Sequence, residues 1–242
     1  MKIIVARSEK EFDQRAAQIV AKQIIAKPTS TIGFATGNTT IGFHKELTEY
    51  SKQLNLDWSK VKTVNLDEFL GIEETSPMSV SYRMFEQLLD GTNIDKDNVL
   101  VPSTNIQLAE KTCREYATLI QALGGVDLQV LGIGSNGHIG MNEPGTPWTL
   151  DMHITDIAEK TREDKAPMWG GIDKTPKKGI TMGVRLIMQA KTQLLMAKGE
   201  SKAKAIRDTL RGDISTQVPA SALQMHPDLI VLLDEAAASL LW

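Results

Sequence analysis

Residues 127–145 read DLQVLGIGSNGHIGMNEPG. The first seven, Asp127–Ile133, are nearly continuous in apolar residues over the length of a strand. A strand wetted on one face alternates apolar and polar positions. One buried on both faces does not, and burial on both faces marks a parallel sheet covered by helices. Similar runs occur at Lys2–Ala6, Thr31–Ala35, Val61–Leu66, Gly179–Met182, Gln193–Ala197 and Leu229–Leu233. Between them lie amphipathic stretches: Glu9–Ala26, Thr39–Leu54, Val80–Leu89, Gln107–Leu123, Val184–Ala190 and Lys202–Leu210. This alternation predicts an α/β fold, an open and mostly parallel sheet with helices on both faces.

The 242 residues suit one such domain spanning 1–242, and no linker, repeat or low-complexity tract divides them. Basic and acidic residues number 27 and 30 and are interspersed, so there is no basic stripe to hold nucleic acid. No window approaches the ~20 apolar residues that cross a bilayer, and MKIIVARSEKEF reaches charge too soon for a signal peptide. The single cysteine, Cys113, cannot form an intramolecular disulfide, which fits a reducing, cytoplasmic setting. It recurs at helical spacing with Ala109, Tyr116, Ile120 and Leu123, so packing is its expected role. The stretch Asn142–Lys178, with Pro144, Pro147, Pro167 and Pro176, shows no periodicity. Unpatterned segments of that length inside a domain are usually lids or binding loops, and a lid is expected at 145–178.

Ligands of open parallel sheets bind at the carboxyl ends of the strands. The run Thr31–Ala35 leads into Thr36, Gly37, Asn38 and Thr39 just before a helix. Free N–H groups and the positive end of the helix dipole there suit a phosphate, although an ordinary capped turn reads the same way. The run Val61–Leu66 ends on Asp67 and Glu68. Two adjacent carboxylates at the end of a buried strand are costly unless solvated, paired or in use. They point in different directions, so one can act as a general base while the other holds the loop. The third junction is 127–145 itself. Gly132, Gly134, Gly137 and Gly140 surround His138, with Asn136, Asn142 and Glu143 nearby. Gly132–Gly134–Gly137 matches the dinucleotide fingerprint, but the chain then turns to Pro144 without a clean helix. A better reading has the glycines wrapping a small ligand while His138 moves protons and Glu143 orients the imidazole. Lys202 opens another helix, where a cation opposes the dipole unless an anion sits there. His44, His153 and His226 stand alone, no metal-binding spacing appears, and no serine elbow is present.

Taken together, ATGNTTIGFHKEL, VNLDEFLGI, SVSYRMFEQLL, VLGIGSNGHIGMNEPGT, KKGITMGVRLIMQA, GESKAKAI and QVPASALQMHPDLIVLLDEAA resemble the glucosamine-6-phosphate deaminase (isomerase) family, in family order over nearly the whole chain. Galactosamine-6-phosphate isomerases and 6-phosphogluconolactonases are relatives, and Asn142-Glu143-Pro144 after the histidine points to the deaminase branch. The resemblance implies a Rossmann-like fold and a deaminase that turns glucosamine 6-phosphate and water into fructose 6-phosphate and ammonia. In it His138, supported by Glu143 and Asn136, opens the sugar ring, and Asp67 carries a proton from C2 to C1. Gly37, Asn38, Thr39 and Lys202 hold the phosphate. No metal or organic cofactor is implied, and the partner is a small amino-sugar phosphate. The family includes monomers and hexamers, so a homo-oligomer stays open.

Three departures stand out. Many members carry Asp where this chain has Asn136. The family's lid usually reads TxxANSRFF, and its arginine falls on Pro167 of TREDKAPMWGG, leaving Lys165 to compensate. The altered lid makes the galactosamine 6-phosphate substrate an alternative, ahead of lactone hydrolysis. Positions that bind an activator in allosteric members align near His153 and Thr155, so that control is not expected.

Overall fold

The computed structural model describes residues 1–242. Its elements are β1 (Lys2–Ala6), α1 (Glu9–Ala26), β2 (Thr31–Phe34), α2 (Ile41–Gln53), β3 (Lys62–Asn65), β4 (Asp67–Phe69), α3 (Val80–Gln87), β5 (Val99–Leu100), α4 (Ala109–Ala122), β6 (Leu128–Leu131), β7 (Met152–Asp156), α5 (Glu159–Trp169), β8 (Lys178–Met182), α6 (Val184–Ile187), β9 (Thr192–Ala197), α7 (Ala203–Arg211), β10 (Leu229–Asp234) and α8 (Glu235–Ala238).

The continuous apolar runs are explained by what lies on each side of the main sheet. Leu128, Val130, Leu194, Met196 and Leu232 pack with Phe12, Ala16, Val20 and Ile24 of α1, Phe43 and Leu47 of α2, and Met84 of α3. Their chain neighbours Leu131, Leu195, Ala197, Val231 and Leu233 pack on the other side with Tyr116 and Ile120 of α4 and Ile206 and Leu210 of α7. Both faces are therefore dry, and the period of two separates two cores rather than core from water.

Seven strands form one sheet in the order β1-β10-β9-β6-β2-β3-β5, and every neighbouring pair is parallel. From β2 the chain moves outward through β3 to β5. From β6 it moves the opposite way, through β9 to β10. The direction reverses between β2 and β6, and the loops after those strands part there to leave a crevice.

Besides adding the short β5 and α8, the structure differs from expectation in three places. Gly179–Met182 does not join the parallel sheet; β8 lies between β4 and β7 in a small antiparallel sheet. The apolar run ending at Leu66 does not break into a loop, since β4 follows β3 almost at once and changes sheets. The stretch Asn142–Lys178 is not irregular, because it holds β7 and α5. Proline had hidden the helix. Pro167 sits within α5, but only two residues before its end at Trp169, and Gly170 closes it in the left-handed conformation at φ 70°. Two boundaries shift at the site: α2 begins at Ile41 rather than Thr39, and Lys202 precedes α7 rather than lying in it.

Candidate active site

At the β2–α2 junction the turn closes on itself. The Gly37 N–H donates to Thr40 Oγ1 at 3.1 Å, and that hydroxyl donates back to the Gly37 carbonyl at 3.0 Å. Thr40 N–H also donates to the Gly37 carbonyl. The Asn38 and Thr39 N–H groups, by contrast, donate to no protein acceptor. Gly37 shapes the turn, while the next two residues offer the donors that a phosphate needs.

At β3–β4 the two carboxylates divide their tasks. Glu68 is buried and accepts N–H bonds from Phe69 at 2.7 Å, Val80 at 3.0 Å and Ser81 at 3.1 Å. It therefore anchors the first turn of α3. Burial pushes its carboxyl up to about 7, against those three bonds. Asp67 makes no side-chain hydrogen bond and has no cation within 4.0 Å. Burial raises its carboxyl to about 6, and Lys165, His138 and Arg83 act the other way.

The loop after β6 carries the histidine. A Cβ at Gly134 would stand 2.4 Å from the His138 ring, so only glycine lets the imidazole lie against this backbone. Gly137 turns the chain at φ 85°, which side chains rarely permit. His138 Nδ1 lies 3.4 Å from Glu143 Oε2. Asn136 Nδ2 donates to the same oxygen at 2.8 Å, and Asn136 Oδ1 accepts the His138 N–H at 3.2 Å. Burial alone would raise the Glu143 carboxyl; the imidazole, Thr161 and Asn136 outweigh it and hold it at about 2. Glu143 therefore stays anionic across the physiological range and holds the imidazole in place.

These junctions open into one cavity of about 700 Å³. Gly37, Asn38, Thr39, Asp67, Asn136, His138, Glu143 and Lys202 all line it, so the structure brings together every residue that the sequence singled out for the site. Asn142 stands apart: it is buried and ties the loop down, donating to Ile139 O at 2.9 Å and Met182 O at 2.8 Å. His44 is fully buried and held down near 4 by that burial; His226 bonds the backbone through both ring nitrogens. Cys113 is half-buried against the larger core, its thiol pushed up to about 11 by burial.

Two contributors were not legible beforehand. Thr161 of α5 donates to Glu143 Oε1 at 2.7 Å, fastening the expected lid segment to the loop after β6. Arg83 of α3 is 7 % exposed and lines the cavity beside Asp67. Sequence patterning treats Arg83 as an ordinary helix position and leaves Thr161 in an unpatterned stretch, and only packing reveals that both meet the cavity. Lys165 of α5 also lines it, 5.6 Å from the Phe69 ring centre.

The charges lining the cavity suit an anion. Lys160 pairs with Asp164 at 2.9 Å, Lys198 with Glu9 at 2.9 Å, and His138 with Glu143. That leaves Arg83, Lys165 and Lys202 without a carboxylate within 4.0 Å, against Asp67 as the one unpaired acid. Burial lowers the ammonium of both lysines, so an incoming anion relieves a standing cost. A phosphate monoester, with a charge of about −1.5 to −2, matches this excess.

If Asp67 must be ionised to act, kcat/KM rises with pH through about 6 and is lost below it. An acid limb near 4, the range of a solvated carboxyl, would contradict that role.

The family model for glucosamine-6-phosphate isomerases/6-phosphogluconolactonase matches residues 6–231. Glucosamine-6-phosphate deaminase of Thermoanaerobacter pseudethanolicus is 42% identical over 241 residues, covering 100% of this chain and 95% of that protein. The Clostridium perfringens enzyme of the same name is 42% identical and covered in full by the full length of this chain. A solved structure of a monomeric glucosamine-6-phosphate deaminase superposes with a TM-score of 0.97 at 40% identity, over 99% of this chain and 100% of that one. The 6-phosphogluconolactonase of Trypanosoma brucei shares the fold at TM-score 0.81 and 19% identity. With the match running nearly end to end, the chain belongs to the glucosamine-6-phosphate isomerase/6-phosphogluconolactonase family.

Proposed function

We propose that this protein converts glucosamine 6-phosphate and water into fructose 6-phosphate and ammonia. The observation that carries the reading is one cavity in which an unpaired carboxylate, Asp67, shares space with the His138–Glu143 pair and a surplus of cations. The names of full-length relatives at 41–42% identity support the same activity.

In this reading the imidazole of His138 moves the anomeric hydroxyl proton to the ring oxygen and opens the pyranose. Asn136 and Glu143 fix the ring's orientation and stabilise its charged form. Asp67 then removes the C2 proton and returns it to C1, leaving an iminium at C2 that water hydrolyses to the ketone and ammonia. The C1 carbonyl of the open chain makes the C2 proton removable, and the nitrogen lone pair afterwards forms the C2=N bond, so the side chains need only move protons. Asn38, Thr39 and Lys202 bind the phosphate, with Gly37 shaping their turn. The one cysteine and the absence of any helix long and apolar enough to cross a membrane are in keeping with action in the cytoplasm.

Ammonia release measured with glucosamine 6-phosphate and galactosamine 6-phosphate tests the proposal and settles the epimer. Galactosamine 6-phosphate is favoured as a second reading by Pro167 in α5, since the segment facing the sugar is rebuilt there. Turnover of 6-phosphogluconolactone without ammonia release from either sugar would overturn the deaminase assignment. Within it, Lys202→Ala is expected to raise KM about 10- to 100-fold, the value of a charge-assisted hydrogen bond, with kcat within about threefold. A defect confined to kcat would remove Lys202 from the phosphate site.

A further inference from the structure

We infer that Arg83 is a catalytic residue of this reaction, its guanidinium binding the oxygen on C1 as negative charge develops there. The inference rests on the proposed deamination and adds a residue to it.

Arg83 is nine-tenths buried, lines the cavity, donates no side-chain hydrogen bond to the protein and has no carboxylate within 4.0 Å. A guanidinium is costly to bury in that condition, and a fold that keeps one facing a ligand cavity has a use for it. Its mounting is rigid. Arg83 N–H bonds the Ser79 carbonyl at 3.2 Å, and the helix start is pinned two and three residues earlier by the Glu68 carboxylate on Ser81 and Val80. Glu68 directly follows Asp67, so one short segment sets the backbone that carries Arg83 relative to the proposed proton carrier. Such fixed placement is what stabilisation of a transient charge requires.

The end of the cavity also follows. The acids acting most strongly on Arg83 are Asp67 and Glu68, whereas the charges acting on Lys202 are Asp164 and Lys165. Arg83 therefore stands with Asp67, where the proposed chemistry puts the reacting carbons, and Lys202 nearer Asp164 of α5. When Asp67 takes the C2 proton, the C–H electrons form the C1=C2 bond and the carbonyl pair moves onto O1. That oxyanion faces Arg83 until it takes a proton from the substrate's own ammonium. Asp67 then returns its proton to C1, and the nitrogen lone pair closes the C2=N bond. Every atom and charge is accounted for without another reactant.

Arg83→Gln is expected to lower kcat on glucosamine 6-phosphate about 10²- to 10³-fold, as loss of an oxyanion donor does. KM, and affinity for the reduced open-chain 2-amino-2-deoxyglucitol 6-phosphate, which has no carbonyl, should stay within about threefold. The deuterium isotope effect from C2-labelled substrate should rise, because C–H cleavage becomes slower than the other steps. Arg83→Lys should recover part of kcat, and it carries the same comparison should the glutamine variant fold poorly. An unchanged kcat and isotope effect, or an equal loss of alditol affinity, would overturn the inference while leaving the deaminase in place. A wild-type protein that neither releases ammonia nor exchanges the C2 hydrogen removes the underlying activity, and the inference falls with it.

Discussion

Asp67→Asn is expected to lose about 10³- to 10⁴-fold in kcat while binding phosphosugar almost normally, and to fold more stably than the wild type at neutral pH. The catalytic half follows from the carboxylate's position. It is the one acid of the cavity without a cation within 4.0 Å, and an amide of the same shape cannot take up a proton. The stability half follows from the carboxyl being raised to about 6 by burial. A group whose folded value exceeds its unfolded one near 4 stabilises the fold when protonated, and that contribution disappears as pH rises through 6. Above pH 6 the wild type therefore bears a cost that asparagine lacks. About two units correspond to ~2–3 kcal/mol, reduced to ~1–2 kcal/mol because the amide needs partners of its own. Urea unfolding at pH 8 and pH 4 reads this directly: the variant's advantage should be present at pH 8 and absent at pH 4. Near-normal ammonia release would remove Asp67 from the chemistry, and an equal advantage at both pH values would remove the burial explanation.

His138→Gln should slow turnover of the cyclic substrate about 10²- to 10⁴-fold, by a different route. Glutamine preserves a polar group against Gly134 but cannot pass a proton between the anomeric hydroxyl and the ring oxygen. Ring opening then limits the rate, and the C2 deuterium isotope effect should fall toward unity. This is the reverse of the change expected for Arg83→Gln, so the two variants separate ring opening from proton abstraction in one assay. An isotope effect that rises in His138→Gln would place the imidazole at C2 instead.

Glu143 and Thr161 would link this proposed step to α5, within the expected lid segment. The Glu143 carboxylate is bonded on one oxygen by Asn136 and on the other by Thr161 of α5. Movement of α5 would alter the partner of the imidazole as well as the wall of the cavity. Phe69 joins the same element, with Trp169 of α5 at its edge, ring centres 5.2 Å apart.

Much of this protein is legible along the chain. Runs such as Leu194–Ala197 and Val231–Leu233 name a parallel sheet, because two dry faces demand apolar residues at both phases of the strand. Asp67, His138 and Lys202 stand out for a related reason: each places a polar or charged group where the local pattern predicts burial or an unfavourable dipole, and such conflicts are local. Contacts across the fold are not local. Nothing in Val80–Gln87 marks Arg83 over its neighbours until α3 is laid against β4, and Thr161 gains its partner only when α5 closes on the loop after β6. β8 reads as one more buried strand, and its place in a second sheet depends on antiparallel pairing with β4 and β7. Local chemistry determined the sheet and nominated the reactive groups. Tertiary packing decided which helix faces complete the site, because a helix presents the same sequence whichever way it is turned.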